Sequence, residues 1–182
     1  MAGAEEVAEG DPAVRSRGLN LLLGSAGVVA AALAWRALSG AVAADAGWSS
    51  MAARLGTASL ALLPSVAALW LMVAVQMAAR LVSGATDPVR GQDGLFLRVN
   101  QRAIGNTVEQ MTIFVPALLA LAAGVPGGRM PEVIALALTF AAARMVFWLG
   151  YLARPVLRAP GMAASFACAS AALIAAGIAW LD

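Results

Sequence analysis

Five long apolar stretches, separated by short polar segments, dominate the hydrophobic pattern of the chain. They run over roughly residues 19–38, 57–81, 104–124, 131–151 and 161–181. Each is close to the ~20 residues that cross a bilayer as an α-helix, and none alternates polar and apolar residues as a barrel strand does. Because hydrocarbon offers no partner for the backbone of an open strand, the pattern predicts an all-α integral membrane protein with five spans.

Composition supports the membrane class and narrows the chemistry. The 182 residues are 62% hydrophobic and 12% charged, whereas a soluble domain is about half apolar and a quarter charged. All twelve cationic side chains are arginine, histidine is absent, and Cys168 is the only cysteine. An intrachain disulfide is therefore impossible, and we expect neither a metal site nor a nucleic-acid partner.

The polar segments divide the chain into three parts. Residues 1–18 are acidic and then basic, and we expect a flexible tail. Residues 19–56 should form a first transmembrane helix and an outer loop, and residues 57–182 a four-helix membrane domain. The first apolar run resembles a signal peptide in having arginines before it and small residues after it. It exceeds the 7–15 apolar residues of such signals, so we expect the helix to be retained.

Arginine placement orients the five spans. The tail and the second and fourth loops share one side of the membrane, which carries eight arginines: Arg15, Arg17, Arg80, Arg90, Arg98, Arg102, Arg154 and Arg158. The other side carries three: Arg36, Arg54 and Arg129. The positive-inside rule then puts the amino terminus in the cytoplasm. Alanine-rich, lysine-free composition is typical of a GC-rich bacterial genome, so we expect a location in a bacterial inner membrane.

Polar side chains at helical spacing interrupt the third and fourth spans. Arg102, Asn106 and Glu109 fall at i, i+4 and i+7, within an arc of roughly 60° on a helix. Arg144 and Tyr151 have the same outer spacing in the fourth span. Because the two spans are antiparallel neighbours, both sets should lie at a similar depth near the cytoplasmic end.

Two interpretations of this polar set are open from the residues alone. Glu109 could pair with Arg102 or Arg144 and simply hold the helices together. Alternatively, the set is a ligand site, which is the usual meaning of ionisable groups inside a membrane. A buried ion pair adds little stability after desolvation, and we favour the site. Together with an arginine of the loop between the fourth and fifth spans, the set offers three arginines, one carboxylate, an amide and a phenol, which suit a small anion that carries one positive group.

Two motifs in these spans resemble the MAPEG family, the membrane-associated proteins in eicosanoid and glutathione metabolism. The first is Gln101–Glu109, and the second is Arg144–Tyr151 followed by Arg158–Gly161. The likeness covers about residues 57–180. It implies a four-helix bundle that assembles as a homotrimer, here with one additional N-terminal transmembrane helix, and that binds glutathione between subunits.

The resemblance also assigns roles to individual residues. It implies that glutathione, as co-substrate, contacts the cluster formed by Arg102, Asn106, Glu109 and Arg144, with Arg80 as a further contact. Arg158 would lie near the sulfur and favour the thiolate, and Tyr151 would orient the peptide or its sulfur.

The implied activity is that of a glutathione transferase or peroxidase acting on a lipophilic small molecule that arrives from the bilayer. Ile104 and Gly105 stand where the family often has a histidine and a second basic residue, so no particular family reaction is implied. Two alternatives are a non-catalytic protein of the same fold that binds a lipid, a thiol or a partner protein, and a small transporter. The lack of an inverted repeat argues against transport.

Overall fold

Five long helices make up most of the part of the chain that the structure describes. The computed structural model describes residues 12–85, 87, 91 and 93–181, with side chains from residue 17 onward. The helices are α1 (Pro12–Ala41), α2 (Met51–Ser83), α3 (Leu95–Gly124), α4 (Met130–Ala153) and α5 (Ala159–Leu181). All five are long and apolar enough to cross a membrane. The prediction of an all-α membrane protein with an extra N-terminal helix is confirmed.

Three helix starts differ from the sequence prediction, and one of them is that of α2, which begins at Met51 instead of near residue 57. Helix α1 already begins at Pro12, so residues 12–18 are helical, and the rest of the expected tail lies outside the described residues. Helix α3 begins at Leu95 instead of near residue 104. Its first turns are too polar for a hydropathy criterion, yet Leu97, Asn100 and Ala103 are buried and continue the inward stripe of the helix. Arg90 and the side chain of Arg15, used for orientation, lie outside what the structure describes.

Polar residues define the ends of the helices. Ser50 caps α2 by accepting a hydrogen bond from the Ala53 N–H at 3.2 Å, and Gly84 ends α2 with a left-handed φ of 70°. Arg54 donates to the carbonyls of Ala122 and Ala123, both at 3.0 Å. These carbonyls belong to the last turn of α3, where no intrahelical donor is available. Arg54, which the arginine count assigns to the outer side of the membrane, therefore caps the carboxyl end of the neighbouring helix α3.

Successive helices run in opposite directions, and α2 to α5 enclose the main core. The start of α2 contacts the end of α3 through Arg54, the second half of α4 contacts the first half of α3 through Arg144, and the start of α5 meets the end of α4 at Gly161. Phe114 and Phe140 stack in the core with ring centroids 3.9 Å apart and an angle of 8°. Helix α1 packs on the outside of the bundle, against α4 and α5.

Three glycines allow close backbone approaches around the loop between α4 and α5. A Cβ on Gly161 would lie 2.2 Å from the Phe147 nitrogen, and one on Gly150 would lie 2.2 Å from the Leu157 carbonyl oxygen. A Cβ on Gly27 of α1 would lie 2.2 Å from the Pro160 carbonyl oxygen. Small residues let membrane helices meet backbone to backbone. The short 3₁₀ segment Pro155–Arg158 is thus held from both sides.

Candidate functional site

A fully buried arginine lies at the centre of the polar region. Arg144 on α4 has 0% exposure. Its guanidinium donates to Ser165 Oγ at 3.1 Å, to Asn106 Oδ1 at 3.1 Å and to Thr107 Oγ1 at 2.6 Å. It also lies 4.0 Å from the centre of the Phe147 ring. A cation on α4 is therefore held by neutral oxygens from α3 and α5.

The two hydroxyls around Arg144 are oriented to act as acceptors. Thr107 donates its own hydrogen to the Ala103 carbonyl at 2.8 Å, and Ser165 donates to the Met162 carbonyl at 3.1 Å. Each hydroxyl has one hydrogen, so these bonds leave the lone pairs free to face the guanidinium. The Nε of Arg144 is buried and has no partner among the described residues. The guanidinium is therefore largely, but not completely, satisfied.

No carboxylate contacts Arg144 among the described residues. Glu109 is exposed, and within that part of the chain it makes no ion pair with Arg102 or Arg144. The interpretation in which Glu109 glues helices together through an ion pair within one chain is therefore wrong. Burial of Arg144 instead depends on hydrogen bonds and on the Phe147 ring.

A second buried network lies next to this one and was not singled out from the sequence. Asn100, with 0% exposure, donates to Gln76 Oε1 at 2.8 Å and to the Met72 carbonyl at 3.1 Å. It accepts from Trp148 Nε1 at 2.6 Å. The amide groups of Asn100 are fully used, and they bind the start of α3 to α2 and α4. The position of Asn100 in the sequence indicates its burial, because Asn100 lies seven residues before Thr107 and therefore on the same buried stripe of α3.

The outward face of α3 forms a polar depression of about 400 Å³. Arg102 and Glu109 are exposed on it, and Asn106 between them is half-buried. The structure thus brings three predicted site residues together and adds Arg98, which also lines the depression. Arg98, Arg102 and Glu109 have no side-chain partner within the described part of the chain. Asn106 is the link between this open face and buried Arg144.

Arg80, expected to be a further ligand contact, is engaged in an ion pair. Its two terminal nitrogens donate to the two carboxylate oxygens of Asp93, each at 2.8 Å, and one also donates to the Ala85 carbonyl at 3.1 Å. Both side chains of the pair are only 15% exposed. Asp93 lines the depression, so Arg80 lies directly behind one of its walls.

Tyr151 and Arg158 lie together but apart from the depression. The Arg158 guanidinium carbon is 4.9 Å from the centre of the Tyr151 ring. The Tyr151 ring is in turn 5.8 Å from that of Phe147, tilted by 49°. Phe147 therefore connects the Tyr151–Arg158 pair to Arg144 through packed side chains. Within one chain, neither residue of the pair lines the depression on α3.

A family model described as MAPEG matches residues 54–178. The chain belongs to the MAPEG family. Helices α2 to α5 lie almost wholly within the matched segment, and α1 precedes it. Family membership makes this a glutathione-related membrane protein. No match was found among curated proteins, and none was found among solved structures.

Five of the seven predicted site residues of the MAPEG chain therefore form two separate groups, whereas Arg144 and Arg80 are engaged in contacts inside the protein. The open group on α3 offers free guanidinium groups, which bind carboxylates through paired hydrogen bonds, and a free carboxylate, which binds an ammonium. The second group, Tyr151 and Arg158, offers a cation beside a phenol. The first group has the chemistry to hold an ionic ligand, and the second has the chemistry to favour a bound anion such as a thiolate.

Proposed function

We propose that the protein is a glutathione-dependent membrane transferase or peroxidase that activates the glutathione thiolate against lipophilic electrophiles or lipid hydroperoxides. The observation that carries the proposal is the depression on α3, where Arg98, Arg102 and Glu109 surround Asn106 without partners in the described chain. A cluster of unpaired ionic groups beside a transmembrane bundle is costly unless a ligand or a neighbouring subunit uses it.

Glutathione matches the charges of this depression. The peptide has two carboxylates and one ammonium group. Arg98 and Arg102 can each bind one carboxylate, and Glu109 can bind the ammonium. The half-buried amide of Asn106 is oriented by its hydrogen bond from Arg144, which leaves its Nδ2 free to donate to a peptide carbonyl. Arg80 remains a proposed contact of glutathione, and to reach the ligand it would have to leave its ion pair with Asp93.

A homotrimer explains why the polar face of α3 is open in one chain. Arg102, Gly105, Glu109 and Thr112 are all exposed and follow one side of the helix. In an isolated protomer several of these groups would face hydrocarbon, where charged side chains are expensive. A neighbouring protomer packed on this face covers it and can bring its own Tyr151 and Arg158 to the ligand. The site is then shared between subunits, on the cytoplasmic side of the bacterial inner membrane.

Arg158 is the residue that we assign to thiol activation. A nearby cation lowers the pKa of a thiol and raises the population of the nucleophilic thiolate. In the transferase reaction the sulfur forms a bond to carbon of the electrophile and the leaving group departs with the bonding pair. In the peroxidase reaction the thiolate takes one oxygen from the hydroperoxide, releasing an alcohol, and a second glutathione converts the sulfenic acid to a disulfide and water.

The test is a titration of glutathione bound to the purified protein, followed by the ultraviolet absorbance of the thiolate. We expect Arg158→Ala to return the thiol pKa toward that of free glutathione and to lower turnover with a lipophilic electrophile. Arg154→Ala is the matched control, because Arg154 is an exposed arginine at the start of the same segment. Equal titration curves for the native protein and Arg158→Ala would refute the role of Arg158.

The second candidate is a non-catalytic protein that binds a thiol or a lipid. The position of the Arg158 guanidinium over the Tyr151 ring, outside the depression, favours this alternative in an isolated chain. Glutathione binding that depends on Arg102 but leaves the thiol pKa unchanged would support the binding protein over the enzyme.

A further inference from the structure

A second cavity lies at the end of the bundle opposite the polar cluster. It has a volume of about 340 Å³ and is walled by α1, α3, α4 and α5. Leu121 and Val125, from the end of α3, and Val133, from the start of α4, lie in its lining. Arg144 and Asn106 lie in the opposite halves of these two helices. The cavity is therefore separate from the proposed glutathione site.

Contacts of α1 with the bundle flank the cavity on two sides. At Gly27 the helix meets the backbone of Pro160. At Trp35 the indole Nε1 donates to the Glu132 carbonyl at 3.0 Å. Between these points Val28, Ala31 and Ala32 face α5 across the cavity, where small residues of α5 line the other wall. The result is an apolar space between α1 and the bundle, bounded on two sides by these contacts.

The mouth of the cavity is polar and carries a net positive charge. A second depression of about 410 Å³ adjoins it, since both are lined by Trp35 and Glu132. Arg129 donates two hydrogen bonds to Glu132 Oε2, at 3.1 and 2.8 Å, and so neutralises that carboxylate. Arg36 also lines the mouth, and its guanidinium has no partner among the described residues. An anion at the mouth would meet one uncompensated cation.

We propose that this cavity binds one acyl chain of an anionic phospholipid, with the phosphate at Arg36. A volume near the lower end of the ~300–1,000 Å³ typical of ligand pockets suits a single slender chain. An apolar space with a free cation at its rim matches the division of a lipid into tail and phosphate. Four of the fourteen residues that line the cavity come from α1, which precedes the segment matched by the family model. The site therefore requires this chain's extra helix and does not depend on the proposed glutathione chemistry.

The experiment uses the full chain in nanodiscs that contain phosphatidylglycerol with a photoactivatable group at the end of one acyl chain. After irradiation, labelled peptides are mapped by mass spectrometry. We expect labelling concentrated at cavity residues such as Val28 and Leu136. Labelling spread evenly over the lipid-exposed surface of the helices, with no excess at the cavity, would overturn the proposal.

A pair of substitutions on α1 gives the matched control. Ala31→Phe places a ring inside the cavity, whereas Ala30→Phe places the same ring on an exposed position of the same helix that does not line it. Cavity labelling should fall to the level of bulk surface in Ala31→Phe and persist in Ala30→Phe. Equal cavity labelling of both variants would contradict the placement of the acyl chain in the cavity.

The phosphate is tested separately, without filling the cavity. Arg36→Gln should reduce cavity labelling by the phosphatidylglycerol probe and should leave labelling by a photoactivatable diacylglycerol, which has no phosphate, nearly unchanged. If unlabelled free fatty acid competes as well as unlabelled phosphatidylglycerol in the native protein, the ligand is a fatty acid and the phospholipid assignment is wrong.

Discussion

Arg144 and Arg102 differ in almost every physical respect although the sequence presents them as members of one set. Arg144 is fully buried and donates to three neutral oxygens on two neighbouring helices. Arg102 is exposed on the outward face of α3 and has no partner in the described chain. The first cation is committed to the structure of the bundle, and the second is available to a ligand.

Asn106 is the point at which these two regions meet. Its Oδ1 accepts from Arg144, while the residue lines the depression that also contains Arg102. A bundle stabilised in this way orients the amide that we propose to bind glutathione through a fully buried cation. The comparison therefore predicts that stability and glutathione affinity can be changed separately by choosing the inner or the outer residue.

The largest effect should come from Arg144→Ala. The substitution removes a fully buried side chain and leaves Ser165 and Thr107 facing a cavity. Large-to-small changes in packed interiors cost about 2–5 kcal/mol of unfolding free energy. Thermal unfolding in mild detergent should show a markedly lower transition temperature.

Arg102→Ala is the counterpart on the outer face. It should leave the unfolding transition close to that of the native protein, because surface substitutions away from special features change stability by about ±0.5 kcal/mol or less. Glutathione affinity, measured by calorimetry, should fall strongly. If Arg102→Ala destabilises the protein as much as Arg144→Ala does, the two arginines do not have the separate roles described above.

A second prediction concerns the close approach that lets Ser165 reach Arg144. Gly161→Ala introduces a Cβ that would lie 2.2 Å from the Phe147 nitrogen, so α5 must move away from α4. Overpacking of this kind typically costs about 1–3 kcal/mol. Gly177→Ala is the control, since a Cβ at that exposed position of α5 meets nothing within 4 Å. Similar unfolding temperatures for the two variants would show that the interface between α4 and α5 yields easily.

A third prediction separates the two roles of Asn106. Asn106→Ala removes an acceptor from a charged donor, which typically costs about 1.5–3 kcal/mol, and should also weaken glutathione binding. Asn106→Asp keeps the acceptor facing Arg144 and should retain stability, yet its negative charge should still weaken binding of an anionic ligand. An Asp variant that binds glutathione as well as the native protein would remove Asn106 from the ligand site. Calorimetry and thermal unfolding on the same samples distinguish these outcomes.

The sequence predicts the helices of the molecule well. It predicts less well which polar residues stabilise the bundle and which are available to a ligand. Apolar length predicts the five helices, and i, i+4, i+7 spacing correctly joins Arg102, Asn106 and Glu109 on one face. Spacing within one helix cannot tell which arginine meets a neighbouring helix. Burial of Arg144 depends on Thr107 and Ser165, two hydroxyl residues that look ordinary until α3 and α5 are packed around α4.

Arg80 shows the same limit at the edge of the site. Its carboxylate partner, Asp93, is thirteen residues away across the segment between α2 and α3, and no local pattern links the two. The family resemblance implies that the Arg80 guanidinium contacts glutathione, whereas in the structure the same guanidinium is paired with Asp93. A substitution of Asp93, with Arg80 kept, distinguishes a ligand contact from a purely structural ion pair.

The smallest predicted effect is therefore that of Asp93→Asn. The change removes a carboxylate from the lining of the depression and releases Arg80 toward it. Asparagine keeps a side-chain oxygen that can accept from Arg80, so part of the contact survives and the unfolding transition should move less than in Arg144→Ala. Glutathione should bind several-fold more tightly if Arg80 can reach it, and the gain should disappear in the double variant with Arg80→Gln. If the gain persists in the double variant, it comes from the loss of negative charge alone, and Arg80 is a structural residue that fixes the end of α2.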